Sequence, residues 1–364
     1  MRKPIEKLKP IEWLHFILND RQAMPVVNDW EEIYDFSVKH SIIGICNPFE
    51  LDVQLPSDLL YQWIGDVEQI KTSNELLNRR ATELYEYINE AGFKCCILKG
   101  QGNATMYPNA LLRCPGDIDV WVDADKDILY EYVKEHFPDS EESIKHIKMP
   151  LFDDVEVDVH YVPLKFYHPL HNRRIKQWLA DNKDEQFRNY VRLDGFSSAI
   201  SIPTARFNAV YQLGHIMVHL CDEGNGLRQI IDYYYVLQKL WNITEEEKRW
   251  IVETWKRLGM LRLAKAVMWI EDEMLGLDES YLLVVPNRHY GRVIAKDILV
   301  GGNFGQHSQR QKLKRFGKVV VAFVDMRRYM QLMACIPGEA FFRGIEKFES
   351  VFRLLGKMLI FKRN

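Results

Sequence analysis

The sequence predicts an α+β protein. A small mixed-sheet α/β segment, residues 76–165, sits between an N-terminal helical region, 1–75, and a C-terminal helical domain with a basic tail, 166–364. Three observations carry that reading. Apolar residues recur at helical spacing on both sides of the middle segment. Within it, short apolar runs alternate with helical patterns, as an α/β sheet requires. And 364 residues exceed one ordinary hydrophobic core, so two or three domains are expected.

Taken in order, residues 12–18 and 30–40 are amphipathic helices, the second opened by Asn28 and Asp29. Pro48 and Pro56 break the pattern. Ser57 or Asp58 can cap a further helix, with or without an interruption, that ends at Ala91-Gly92, where glycine suits a helix C-terminus. Residues 93–98 are a short apolar run after a glycine, hence a strand. Residues 100–107 fit a short helix closed by Pro108. Residues 118–122 form a second strand, 124–137 a helix ended by Pro138, and 144–149 a third strand. Residues 155–160 alternate strictly and form a strand closed by Pro163. From about 166 the helical period returns, with long helices at 206–222 and 227–240 parted by a Gly-Asn-Gly turn. Thr244 followed by three glutamates reads as a capped helix start. Helices continue to about 275 and resume near 311, interrupted by Pro286, Gly301-Gly302 and Pro337-Gly338.

Hydrophobic residues make up 47% of the chain and charged residues 27%, ordinary for a soluble globular protein. No apolar run approaches the ~18 residues needed to span a bilayer. The first ten residues lack the apolar segment of a signal peptide. Six cysteines are scattered without a CxxC pair, which suggests neither a zinc site nor a disulfide framework. A reduced, cytoplasmic protein is expected. Charge is uneven: residues 301–364 carry 13 Lys+Arg against 4 Asp+Glu, net +9, and the rest is net −12. A basic tail can meet an anionic partner, but it also serves as a solvated helical face offsetting an acidic body.

Chemistry concentrates between 97 and 120 and again near 158. Asp117 and Asp119 project to the same side of a strand, where two carboxylates repel each other unless a cation joins them. Oxygen ligands of this kind favour Mg²⁺ or Mn²⁺. Alone the pair is a weak motif, because strand starts commonly carry a solvated aspartate. The strand at 155–160 strengthens it: three valines face one way, and Glu156, Asp158 and His160 the other. Such a face belongs to solvent or to a site. Beside the Asp-x-Asp strand, Asp158 supplies a third carboxylate, and three acidic ligands can hold two metals ~3.5–4 Å apart for phosphoryl-type transfer. Gly100, between strand and helix, leaves backbone N–H groups open to a phosphate. Lys99 and Arg113 add positive charge.

Leu98-Lys-Gly, Tyr107-Pro, Leu112-Arg, Gly116-Asp-Ile-Asp and Val157-Asp-Val-His, in that order, resemble a bacterial family of uncharacterised nucleotidyltransferases, within the nucleotidyltransferase superfamily typified by DNA polymerase β. Ala91-Gly-Phe and the segment from Gly226 to Asp232 also fit, so the resemblance covers roughly 40–300. It implies that Asp117 and Asp119 bind the catalytic Mg²⁺ and the nucleotide triphosphate. Asp158 would complete the metal site and help deprotonate an acceptor hydroxyl, while Gly100 and Gln101 contact the phosphates. Gln101 stands where the broader superfamily has Ser or Gly.

In the helical part, His215 and His219 share a helix face at i, i+4. Zinc proteases use that spacing with a Glu after the first His, where this chain has Ile216, so the pair belongs between helices or against the cleft. Arg228 and Asp232 have the same spacing, and the resemblance turns both toward the cleft. The run Tyr233-Tyr-Tyr235 reads as core and rim. Together these features predict Mg²⁺- or Mn²⁺-dependent transfer of an NMP from an NTP to a hydroxyl-bearing acceptor, with release of pyrophosphate. The acceptor is a protein, a metabolite, a sugar or an RNA end. The acidic body argues against nucleic acid, and the basic tail is what an RNA-modifying reading rests on. The alternative is a catalytically weak nucleotidyltransferase-fold protein that binds a partner in a toxin–antitoxin or peptide-modification system.

Overall fold

The computed structural model describes residues 5–19, 23–143 and 145–361. Residues 1–4, Ile144, the first residue of the expected third strand, and residues 362–364, the end of the basic tail, lie outside them. The N-terminal helices are α1 (Lys9–Leu18), α2 (Trp30–Lys39) and α3 (Ser57–Glu90). Asp29 caps α2 by accepting the Glu32 N–H at 3.1 Å. Pro56 precedes α3 and Gly92, at φ +86°, follows it, so both ends have the residues that stop a helix. Between them α3 is continuous for 34 residues, about 51 Å at ~1.5 Å per residue, and passes residue 75 without a break. Its first half buries Leu59, Trp63, Val67 and Ile70 in the helical core, and its second half buries Leu77, Ala81, Leu84 and Ile88 in a separate core under the sheet.

The sheet is mixed and five-stranded. Its members are β1 (Cys95–Leu98), β2 (Ile118–Val122), β3 (Glu141–Glu142), β4 (His146–Lys148) and β5 (Val157–His160), in the order β1-β2-β5-β4-β3. The central pair, β2 and β5, is parallel, and every other pairing is antiparallel. Helices α4 (Gly100–Ala104) and α5 (Lys126–His136) connect the strands. Ile118, Val120, Val122, Val157 and Val159 face the sheet core shared with α3 and α5. The opposite face carries Asp119, Trp121, Asp158 and His160. There Trp121 packs against Phe187 and Phe207, with ring centroids 5.1 and 6.0 Å away, so helices cover this face as well. Asp119 is therefore buried, at 6% exposure, and is not the solvated aspartate common at strand starts.

The C-terminal part comprises α6 (Pro169–Gln186), α7 (Ala205–Cys221), α8 (Leu227–Lys239), α9 (Glu245–Arg257), α10 (Leu261–Glu273), α11 (Arg288–Gly301), α12 (Gln309–Leu313), α13 (Lys318–Leu332) and α14 (Pro337–Phe361). Thr244 and Glu247 form a reciprocal capping box at the start of α9. Tyr233, Tyr234 and Tyr235 are all buried. Residues expected to be helical or irregular after 166 instead include a hairpin of β6 (Tyr190–Arg192) and β7 (Ala199–Ser201). Strands of three residues are too short to leave an alternation in the sequence. The six cysteines are buried and unpaired. No described helix is long and apolar enough to cross a membrane.

Candidate functional site

The site is built where β1 gives way to α4. Lys99 sits at φ +47°, ψ −130° and Gly100 at φ +26°, a left-handed step that costs a residue with a Cβ roughly 1–2 kcal/mol. Backbone strain of this kind collects at functional sites. The step carries the Lys99 side chain across the sheet face, where its ammonium lies 2.7 Å from Asp119 Oδ2 and 3.1 Å from His215 Nε2. α4 is a single turn. Its Gln101 is buried and donates to Asn78 Oδ1 and, at 3.4 Å, to the Asn74 carbonyl, so it braces the turn from behind.

Register then assembles the carboxylates. Asp119 pairs directly with Asp158 across the parallel β2–β5 ladder, and Asp117 precedes β2. One oxygen from each of Asp117, Asp119 and Asp158 can be chosen so that all lie within 4.8 Å of one another. Their proton affinities diverge accordingly. Asp117 is raised, first by the Asp119 charge and then by desolvation. Burial acts to raise Asp119 too, but Lys99 and the His160 ring outweigh it and hold the carboxyl well below the usual range. Asp158 is pushed up to about 7 by burial and then by Asp119 and Asp117. Burial and the closeness of three converging carboxylates are what a hard divalent cation relieves, and the all-oxygen donor set fits Mg²⁺ or Mn²⁺.

The other anticipated residues divide between wall and periphery. His160 is buried and contacts Asp119 Oδ1 through Nε2 at 2.6 Å. Arg113 is buried, and its fork grips both oxygens of Asp232 at 2.8 Å each. Asp232 also accepts from the Tyr107 hydroxyl at 2.6 Å and the Asn103 amide at 3.0 Å. The pair therefore forms the back wall of the cleft, joining α8 to the segment before β2. Arg228 lies beside it, donating to the Pro115 carbonyl at 2.9 Å while its Nε is buried without a partner. His219 Nε2 is 3.1 Å from His215 Nε2, and burial followed by the charge of Lys99 pushes its pKa down to about 3. Glu156 precedes β5, is exposed and pairs loosely with Lys148 at 3.6 Å, and it is not one of the three carboxylates that converge. Residues of the cleft that were not anticipated include Asn103, Gln212, which donates to Asn103 at 2.7 Å, Gln229 and Phe304; beside it lie His146, across the ladder from His160, and Lys145, whose pKa burial lowers. The alternation of His146 with Lys148 in the expected third strand was the one available signal.

A parallel strand pair thus presents aspartates in register, beside a lysine–glycine turn and under a helical wall. The chain belongs to the family described as uncharacterised nucleotidyltransferase, matched over residues 27–276. That span contains every cleft residue described above except Phe304. Among solved structures, the chain is similar to an antigenic nucleotidyltransferase-like protein from Paracoccidioides brasiliensis. The identity is 12%, the match covers 50% of this chain and 88% of that one, and the TM-score is 0.32. No curated protein matches the chain. Family membership supports a transferase with a general role in nucleotidyl transfer.

Proposed function

We propose that the protein transfers an NMP from an NTP to a hydroxyl-bearing acceptor, dependent on Mg²⁺ or Mn²⁺, and releases pyrophosphate. The observation that carries this reading is the convergence of Asp117, Asp119 and Asp158 within 4.8 Å beside the Lys99–Gly100 turn. The three carboxylates are the residues that would hold the cation. When bound, it supplies charge neutralisation for the triphosphate and for the attacking oxygen.

The chain's own groups supply the rest. The Lys99 ammonium and the Gly100 N–H offer donors to the triphosphate oxygens. Arg228 adds charge from the wall, while Arg113 acts through Asp232 to keep that wall in place. Asp158 takes the proton as the acceptor oxygen bonds to the α-phosphorus and the α–β anhydride bond breaks, with pyrophosphate leaving. Charges held this way need no reorganisation during the reaction. The acceptor class is open among protein, metabolite, sugar and RNA hydroxyls, with the acidic body against nucleic acid.

The test is incubation with each α-labelled NTP, Mg²⁺ and cell-extract acceptors, followed by pyrophosphate release and transfer of label. Asp117→Ala should abolish both, together with calorimetric Mg²⁺-NTP binding. Wild-type binding retained in that variant sinks the site assignment. Complete inertness of the wild type with every NTP replaces transfer with a binding role for the same cleft.

A further inference from the structure

A second set of metal-ligating groups lies on the far side of Asp158. The antiparallel β4–β5 register sets His146 directly across from His160, and Asp158 lies two residues before His160 on the same strand face. His146 Nε2 is 3.4 Å from Asp158 Oδ2, and the two imidazole rings have centroids 5.1 Å apart. One atom from each of His146, Asp158 and His160 falls within 4.8 Å of the others.

His160 is the informative member. It is 5% exposed, and Asp119, paired with the Lys99 ammonium, is an ionised carboxylate that can only accept. His160 Nε2 therefore carries the proton in its 2.6 Å contact with Asp119, which leaves Nδ1 with a bare lone pair. That Nδ1 is buried and has no hydrogen-bond partner. A carboxylate behind one ring nitrogen, fixing the tautomer and leaving the other nitrogen bare, is how proteins prepare a histidine for a metal.

We propose that His146, Asp158 and His160 form a second cation site, sharing Asp158 with the carboxylate site. It takes a divalent first-row transition ion, such as Zn²⁺ or Co²⁺, in preference to Mg²⁺. Two neutral imidazoles and one carboxylate suit such ions, whereas Mg²⁺ takes oxygen ligands. The two sites differ in donor set, and nucleotide is not required to form either.

The full chain, without nucleotide, is titrated with Co²⁺ read by visible absorption and with Zn²⁺ read by calorimetry. The wild type should bind one such ion per chain with a nitrogen-ligated spectrum. His146→Ala should weaken both ions roughly tenfold or more, and His146→Gln, which keeps a polar side chain, should do the same. Mg²⁺ affinity in these variants should move less than about twofold, and Asp117→Asn should keep the Co²⁺ spectrum. Unchanged Co²⁺ affinity in both His146 variants overturns the proposal. So does loss of the Co²⁺ spectrum in Asp117→Asn, which would leave a single, carboxylate site. A protein inert toward every NTP would still return these results, so this proposal and the transfer reading fail separately.

Discussion

Asp232→Asn tests whether the back wall of the cleft is held by charge. The substitution keeps shape and removes one unit of charge. Asp232 accepts two bonds from Arg113, one from Tyr107 and one from Asn103. Arg113 and Asp232 are 5% and 4% exposed, so water cannot replace the lost partner. Removing one member of a buried, hydrogen-bonded pair costs roughly 3–5 kcal/mol, chiefly because the surviving charge is left uncompensated. At roughly 2 °C per kcal/mol for a large chain, the unfolding midpoint should fall by about 6–10 °C. The companion is the double variant Arg113→Met/Asp232→Leu, which removes both charges and fills the volume with apolar atoms. It should recover part of the loss, since the pair itself is worth far less than its disruption, while Tyr107 and Asn103 stay without their acceptor. Midpoints read by circular dichroism for wild type, Asp232→Asn and the double variant decide the matter. A fall below about 2 °C in Asp232→Asn, or a double variant no more stable than the single, would refute the account.

Three further outcomes follow from the site. In the metal-free protein Asp158 titrates at about 7, above its ordinary 3.8, so below about 7 it holds a proton that a cation must displace. Apparent Mg²⁺ affinity should therefore rise up to about tenfold per pH unit as pH approaches 7 from below, then flatten; a calorimetric series from pH 5.5 to 8 without such a slope refutes it. Lys99→Gln removes the ammonium that competes for Asp119 Oδ2 at 2.7 Å. Mg²⁺ affinity without nucleotide should rise roughly three- to tenfold while NTP affinity falls, an opposition that unchanged Mg²⁺ binding would contradict. Gly100→Ala has room for its Cβ, the nearest atom being the Asp117 carbonyl oxygen at 3.6 Å, yet must adopt φ +26°. It should cost roughly 1–2 kcal/mol in urea unfolding, and a neutral result would show that the turn relaxes freely.

The strand pattern made the carboxylates legible. Alternation in 118–122 and 155–160 set which residues share a face, and register did the rest by placing Asp119 beside Asp158. What alternation could not reveal was how deep that face lies. Trp121 alternates with Asp119, and only the helical part, far along the chain, supplies the Phe187 and Phe207 that cover it. Arg113 was legible as a charge and Asp232 as a helix neighbour of Arg228, but their pairing with each other spans 119 positions and leaves no local trace. The hairpin at 190–201 was missed because three-residue strands carry no period. Glu156 shows the opposite case: correct alternation, but a position one residue before the strand begins.

The length of α3 limits how the molecule can be divided. One rod serves two cores, and the handover falls between Ile70 and Leu77. At that point Asn74 donates to the Leu111 and Arg113 carbonyls at 2.8 Å each, and Asn78 accepts from Gln101. A fragment beginning near 76 would start in mid-helix and lose the Asn74 clamp that holds the segment leading into β2. A fragment beginning at 57 would keep the clamp but turn Leu59, Trp63, Val67 and Ile70 toward water. The cleft is thus not a portable cassette. It hangs from a beam whose other end is anchored in the helical bundle.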